Sequence, residues 1–132
     1  MGFDYEGGYI DGSYYPAGRY YNFFGIGAYD NSPLSGGRKM AVIQGWSTPR
    51  NAILGAAKWV SNNYVLGSWS QDSLYKMKWN VFQAANENTV WHQYATGRTW
   101  ATGIANVMSD CYRFIGLEMA TSGLLFDVPQ YR

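Results

Sequence analysis

Tyr21-Asn22-Phe23-Phe24-Gly25-Ile26-Gly27-Ala28-Tyr29-Asp30 crowds four aromatic side chains and two glycines into ten residues. An ordinary core strand alternates apolar and polar positions and avoids glycine, which weakens it. Gly25 and Gly27 would let the backbone come close to a ligand, so Phe23 to Tyr29 reads as a short strand or a turn lining a cleft. The plainer alternative is a buried aromatic strand that ends at the turn-forming Asp30-Asn31-Ser32-Pro33.

Outward from this segment, the bulk properties narrow the possibilities. A chain of 132 residues is one domain by size and can bury a core without covalent staples. Its net charge of +1 provides no long-range field to draw in nucleic acid or an anionic membrane, so neither is expected as a partner. Charged residues make up only 14% and aromatic residues 18%, with 12 Tyr and 6 Trp. Tyr and Trp join an apolar body to a polar tip and suit half-exposed grooves, where they can stack on the flat C–H faces of sugar rings. Cys111 is the single cysteine and His92 the single histidine. An internal disulfide or a Cys/His metal cluster is therefore not expected, nor is any other cofactor. No apolar run reaches 18 residues, so membrane insertion is not expected. Met1 to Glu6 lacks the basic and apolar regions of a secretory signal. A wall-acting form would then come from a longer precursor, or reach the wall by lysis or in a virion.

Periodicity places the elements. Residues 1–22 read as loop with room for one hairpin. Gly37 to Gln44 reads as a short helix closed by Gly45. Thr48-Pro49 forms an N-cap and first helical residue, opening a helix with Ile53, Ala56, Ala57, Val60 and Tyr64 on one stripe. Ser70 or Asp72 caps a short helix through Met77, and Asn80 to Val90 reads as loop. Thr99 caps a long helix from Trp100 to about Met119, with Ile104, Val107, Met108, Cys111, Tyr112 and Ile115 stepping by three and four. Trp100, Ile104 and Cys111 are expected to be buried. Gly123 ends this helical region, and Leu124 to Arg132 returns as extended chain.

Taken in order, several blocks resemble the glucosaminidase domain of bacterial autolysins and phage lysins, glycoside hydrolase family 73. They are Asn22-Phe23-Phe24-Gly25-Ile26, Gln44 to Pro49 with Ala52 to Val60, Leu74-Tyr75-Lys76-Met77-Lys78-Trp79-Asn80, His92-Gln93-Tyr94-Ala95-Thr96, and the closing Phe126 to Tyr131. The likeness runs from about Tyr20 to the last residue. It implies a single glucosaminidase-like domain over 1–132, family-like from 20 and atypical over 1–19. The implied fold is mainly α: a lysozyme-like helical domain with a small irregular or β lobe, in which the family's N-terminal acid-bearing helix has no counterpart. The implied activity is cleavage of the β-1,4 bond after N-acetylglucosamine in peptidoglycan. The implied setting is the extracellular cell wall or a phage virion, with peptidoglycan strands as partner.

The resemblance also implies roles. Tyr94 would lie near the reacting sugar, with Gln93 and His92 as substrate contacts. Asn22, Phe24 and Tyr29 would form the cleft wall. This chain has Gly97 where the family usually carries an Asp that caps the next helix, so Thr99 is expected to take over the cap. Glycoside hydrolysis needs a carboxylic acid and usually a second carboxylate. Glu6, in Glu6-Gly7-Gly8-Tyr9, is a distorted echo of the family's acid context, and Asp30 is the candidate second carboxylate. A lone histidine beside a tyrosine is otherwise most often structural. Three accounts stay open: Glu6 is a displaced acid; the acid lies on an N-terminal segment missing from this chain or on a partner such as a virion protein; or the domain binds glycan without cutting it.

Overall fold

A computed structural model describes residues 2–87 and 91–116. The chain forms two compact units, Met1–Asn62 and Asn63–Arg132.

The first unit opens with four short strands where a loop with one hairpin was expected. Strand β1 (Gly2–Tyr5) pairs antiparallel with β4 (Gly18–Tyr21), placing Phe3 opposite Tyr20 and Asp4 opposite Arg19. Between them, β2 (Gly8–Ile10) and β3 (Ser13–Tyr15) form a hairpin closed by Asp11-Gly12. Both turn residues have positive φ, 49° and 82°, as a two-residue Asp-Gly loop requires. Cross-strand aromatic pairs support both ribbons: Tyr9 meets Tyr14 edge-on at 5.5 Å and Phe3 stacks on Tyr20 at 6.3 Å.

Helices α1 (Pro33–Ile43) and α2 (Pro49–Val60) complete this unit. Proline at the first position suits both starts, since its missing N–H would have had no partner there. The Thr48 hydroxyl accepts from Asn51 N at 3.2 Å, as expected of an N-cap. The core gathers Tyr20, Ile26, Ala41, Val42, Trp46, Ala52 and Ala56. Helix α2 keeps part of its expected apolar stripe inward, with Ala56 buried and Val60 packed against the core, but the buried face is rotated toward Ala52, leaving Ile53 49% exposed. The reason is Trp46. Its indole lies so close to α2 that a Cβ on Gly55 would collide with it, so the contact face must be built from small residues.

A π-helical turn, Ser61–Val65, spans the last residues of the first unit and the first of the second, where it carries the buried Tyr64. Helix α3 (Leu74–Trp79) is capped by Ser73, whose hydroxyl accepts from Lys76 N, and not by Ser70 or Asp72. Asn80, in the left-handed region at φ 42°, ends α3. Helix α4 (Val81–Glu87) follows at once, where loop was expected. Helix α5 (Trp100–Ile115) starts where predicted, but Thr99 makes no side-chain cap, and Gly116 at φ 87° stops it before Met119. Of the three residues expected to be buried, Trp100 is half-buried, while Ile104 and Cys111 are exposed. The helix packs against α3, yet no side chain along it is buried. Gly123 and the Phe126–Tyr131 block lie outside the described residues.

Candidate functional site

The first block folds around Asn22. Its Nδ2 donates to the Ile26 carbonyl at 2.8 Å and the Gly37 carbonyl at 3.0 Å, and its Oδ1 accepts from Ile26 N at 3.2 Å. One carboxamide thus closes the loop on itself and pins it to α1. Gly27, at φ 78°, completes the seam. Its carbonyl oxygen lies where a Cβ on Gly36 would have to sit, and a Cβ on Gly27 would fall 3.0 Å from Met40 Cβ. Gly27 therefore serves a close approach to α1, while Gly25, at φ 66°, has open space where its Cβ would point. Pinned this way, the loop holds its large aromatics outward. Phe24 is 39% and Tyr29 68% exposed, and Phe23 stacks on Tyr21 at 5.9 Å. Outward aromatic rings on a rigid loop are what a sugar face stacks on.

The second block, Trp91 to Thr96, is latched to α3 and its approach residue Gln71 at nearly every position. Asn80 Nδ2 donates to Trp91 O at 2.8 Å. Gln71 Nε2 donates to His92 O at 3.1 Å and also to Lys76 O. Gln93 Nε2 donates to Lys78 O at 2.7 Å, and Tyr94 N donates to Met77 O at 2.9 Å. Lys78 Nζ donates to Ala95 O at 2.9 Å and Thr96 O at 3.0 Å. Gln71, Lys78, Asn80 and Gln83 are all buried. They satisfy the backbone of a segment that has no secondary structure of its own. Sequence reasoning missed this group, because polar residues on and around a short helix read as a solvated face.

His92 sits among aromatics, stacked on Tyr64 at 4.6 Å with Trp69 at 4.9 Å. Its Nδ1 lies 2.8 Å from Gln71 Oε1. Both Nε2 protons of Gln71 go to carbonyls, so its oxygen must accept here and the proton belongs on His92 Nδ1. Burial holds the imidazole below its ordinary 6.5, so at neutral pH it is uncharged, with Nε2 as the acceptor. These contacts fit the structural reading of a lone histidine. Burial, and secondarily the neighbouring Tyr64, push the Tyr94 phenol up to about 12. It stays a protonated hydrogen-bond donor across the physiological range, between Tyr64 at 5.3 Å and Trp100 at 5.1 Å.

The carboxylates are placed differently. Glu6 is exposed on the link between β1 and β2, and Asp30 is exposed in the turn before α1. Asp4 and Asp11 are held in surface ion pairs by Arg19 and Lys39. Of the predicted site residues, Glu6, Asn22, Phe24, Tyr29 and Asp30 belong to the first unit and His92, Gln93 and Tyr94 to the second. Among the described residues, no three His, Cys, Asp or Glu side chains cluster as a metal site would need. No described helix is long and apolar enough to cross a membrane.

A helical chain with small antiparallel ribbons, an aromatic loop pinned by asparagine and a latched His-Gln-Tyr block has the features of a lysozyme-like glucosaminidase domain. The chain belongs to the glucosaminidase family of the bacterial autolysins. It is 45% identical over 114 residues to the bifunctional autolysins of Staphylococcus aureus strains N315 and Mu50, a match covering 86% of this chain and 8% of each relative. Among solved structures it is similar to a catalytic mutant of S. aureus autolysin E in complex with the disaccharide NAG-NAM, with a TM-score of 0.59 and 41% identity, over 83% of this chain and 44% of that one. It is equally similar, with a TM-score of 0.59 and 42% identity, to autolysin E in complex with the muropeptide NAM-L-Ala-D-iGlu, over 75% of this chain and 41% of that one. The chain thus spans less than a tenth of the curated relatives and under half of the solved chains. No family model matches it.

Proposed function

We propose that this chain is the glycan-holding part of a peptidoglycan hydrolase, an endo-β-N-acetylglucosaminidase that cuts the β-1,4 bond after N-acetylglucosamine at the cell wall. The observation that carries the reading is the kinship with autolysins, one of them in complex with NAG-NAM. The two blocks most suited to sugar support it. Phe24 and Tyr29 offer stacking faces. Gln93 and Tyr94 offer polar contacts, with the Tyr94 phenol donating to the acetamido group that can itself act as nucleophile. Asn22 shapes the wall, and His92 orients the block that bears Gln93 and Tyr94.

Acid duty requires a carboxyl shielded from water, so that it keeps its proton near neutral pH. Glu6 is exposed on a strand link, which favours a glutamate supplied by a further segment of a longer protein. Asp30 is the helper that steadies positive charge on the sugar ring. The same exposure favours a second reading, a wall-glycan-binding module without turnover, in an autolysin or as part of a phage tail lysin.

Release of reducing ends from purified cell walls tests the proposal. The 132-residue chain alone should release none, and Glu6→Gln should change nothing, whereas joining the chain to the acid-bearing segment should start cleavage. Cleavage by the chain alone that Glu6→Gln abolishes would place the acid on Glu6. If the joined form binds glycan but never cleaves it, the binding-module reading holds. Cleavage by the chain that survives both Glu6→Gln and Asp30→Asn would overturn the assignment of both carboxylates.

A further inference from the structure

We infer that Lys78 is a positioning residue for Tyr94, its buried side chain and its own carbonyl bracketing the tyrosine from both sides. The inference rests on the glycan-binding reading above. Lys78 O accepts from Gln93 Nε2 at 2.7 Å, just before Tyr94. Lys78 Nζ donates to Ala95 O and Thr96 O at 2.9 and 3.0 Å, just after it. The preceding residue, Met77, takes the Tyr94 amide proton. Four hydrogen bonds from two neighbouring residues, three of them to backbone groups and one to the Gln93 side chain, hold the stretch on which the phenol is mounted.

The chemistry of Lys78 argues that this is more than packing. Lysine is rarely fully buried, because its flexible stem usually carries the ammonium to water. Here the side chain is only 3% exposed, although its neighbour Trp79 is 47% exposed and water is therefore close. No carboxylate pairs with it among the described residues. What compensates is the pair of carbonyls and the Trp79 ring face, 5.1 Å from Nζ. A core needing only volume at this place would be better served by methionine, which carries no charge to desolvate. What the ammonium adds is several donors converging on two successive carbonyls, which sets the course of the chain immediately beyond Tyr94. Arginine would keep the charge and the donors; methionine would keep only the bulk.

The experiment uses the full 132-residue chain with Lys78→Met, Lys78→Gln, Lys78→Arg and Tyr94→Ala. Two readouts are taken: NMR titration of tyrosine ring carbons, assigned to Tyr94 by its substitution, and calorimetric titration with NAG-NAM disaccharide. Lys78→Met should move the Tyr94 titration from about 12 toward the ordinary tyrosine range and weaken disaccharide binding about tenfold, the scale of one misplaced hydrogen bond. Lys78→Arg should restore both, which loss of packing alone would not predict. If Lys78→Met fails to fold, Lys78→Gln carries the test, with both shifts expected in the same direction. A folded Lys78→Met or Lys78→Gln with parental Tyr94 titration and parental affinity overturns the inference. Unchanged affinity in Tyr94→Ala would instead defeat the glycan-site reading, and the NMR titration would still decide the role of Lys78.

Discussion

Asn22 commits both amide protons and its oxygen to backbone partners at Ile26 and Gly37, so its removal orphans three groups at once. Asn22→Ala should cost about 2–3 kcal/mol, read as a lower denaturant midpoint with unchanged slope. His92 gives a pH signature. Its folded value lies below the ordinary 6.5 because burial disfavours the charge. The unfolded chain therefore takes up the proton first as pH falls. The stability linked to His92 is complete above about 6.5 and is lost as pH drops below it. In urea titrations the parent should lose more stability between neutral and mildly acid pH than His92→Gln does; equal losses would deny the linkage. Tyr94 runs the other way. Its phenol is raised to about 12 from 10.0, so its contribution is full below 10 and disappears as pH rises toward 12. The identities of the exposed aromatics and of Gln93 and Tyr94 were legible in the sequence as family blocks. The structural use of Asn22 was not, because a carboxamide's partners are set by how the loop closes.

At the scale of elements, local chemistry was readable and long-range contact was not. The start at Thr48-Pro49 was legible because a cap and a proline act within one turn. The hairpin at Asp11-Gly12 was legible only as room for one hairpin somewhere in residues 1–22, since its flanking strands are three residues each. The buried face of α2 was read only in part: Ala56 was on the apolar stripe, but apolarity also pointed to Ile53, while the bulk of Trp46 selects the small side of the helix at Ala52, Gly55 and Ala56. The latch on Trp91 to Thr96 escaped because Gln71 and Lys78 act across 15 to 21 positions of sequence. The loop–helix seam at Gly27 and Gly36 gives this scale its test. Gly36→Ala drives a methyl into the Gly27 carbonyl and should cost about 1–3 kcal/mol, as overpacking does. It should also loosen the block bearing Phe24 and Tyr29. Thermal melting of Gly36→Ala beside Gly103→Ala, where nothing lies within 4 Å of the added methyl, checks that the effect is steric. Gly103→Ala should match or exceed the parent, since alanine is the better helix former.

At the scale of the whole molecule, the function proposed above has a nearly neutral, aromatic-rich chain holding sugar rings by stacking and neutral hydrogen bonds. Ring stacking and neutral hydrogen bonds supply such binding, so it should be nearly indifferent to salt. A basic, field-driven binder would lose affinity steeply as salt rises. The decisive measurement is calorimetric titration of the chain with NAG-NAM disaccharide at low and high salt, for the parent, Tyr29→Ala and Tyr94→Ala. Binding should hardly change with salt, weaken about tenfold or more in Tyr94→Ala, and weaken less in Tyr29→Ala. A folded parent chain that binds no disaccharide, or one whose affinity is untouched by either substitution, would contradict the proposed function.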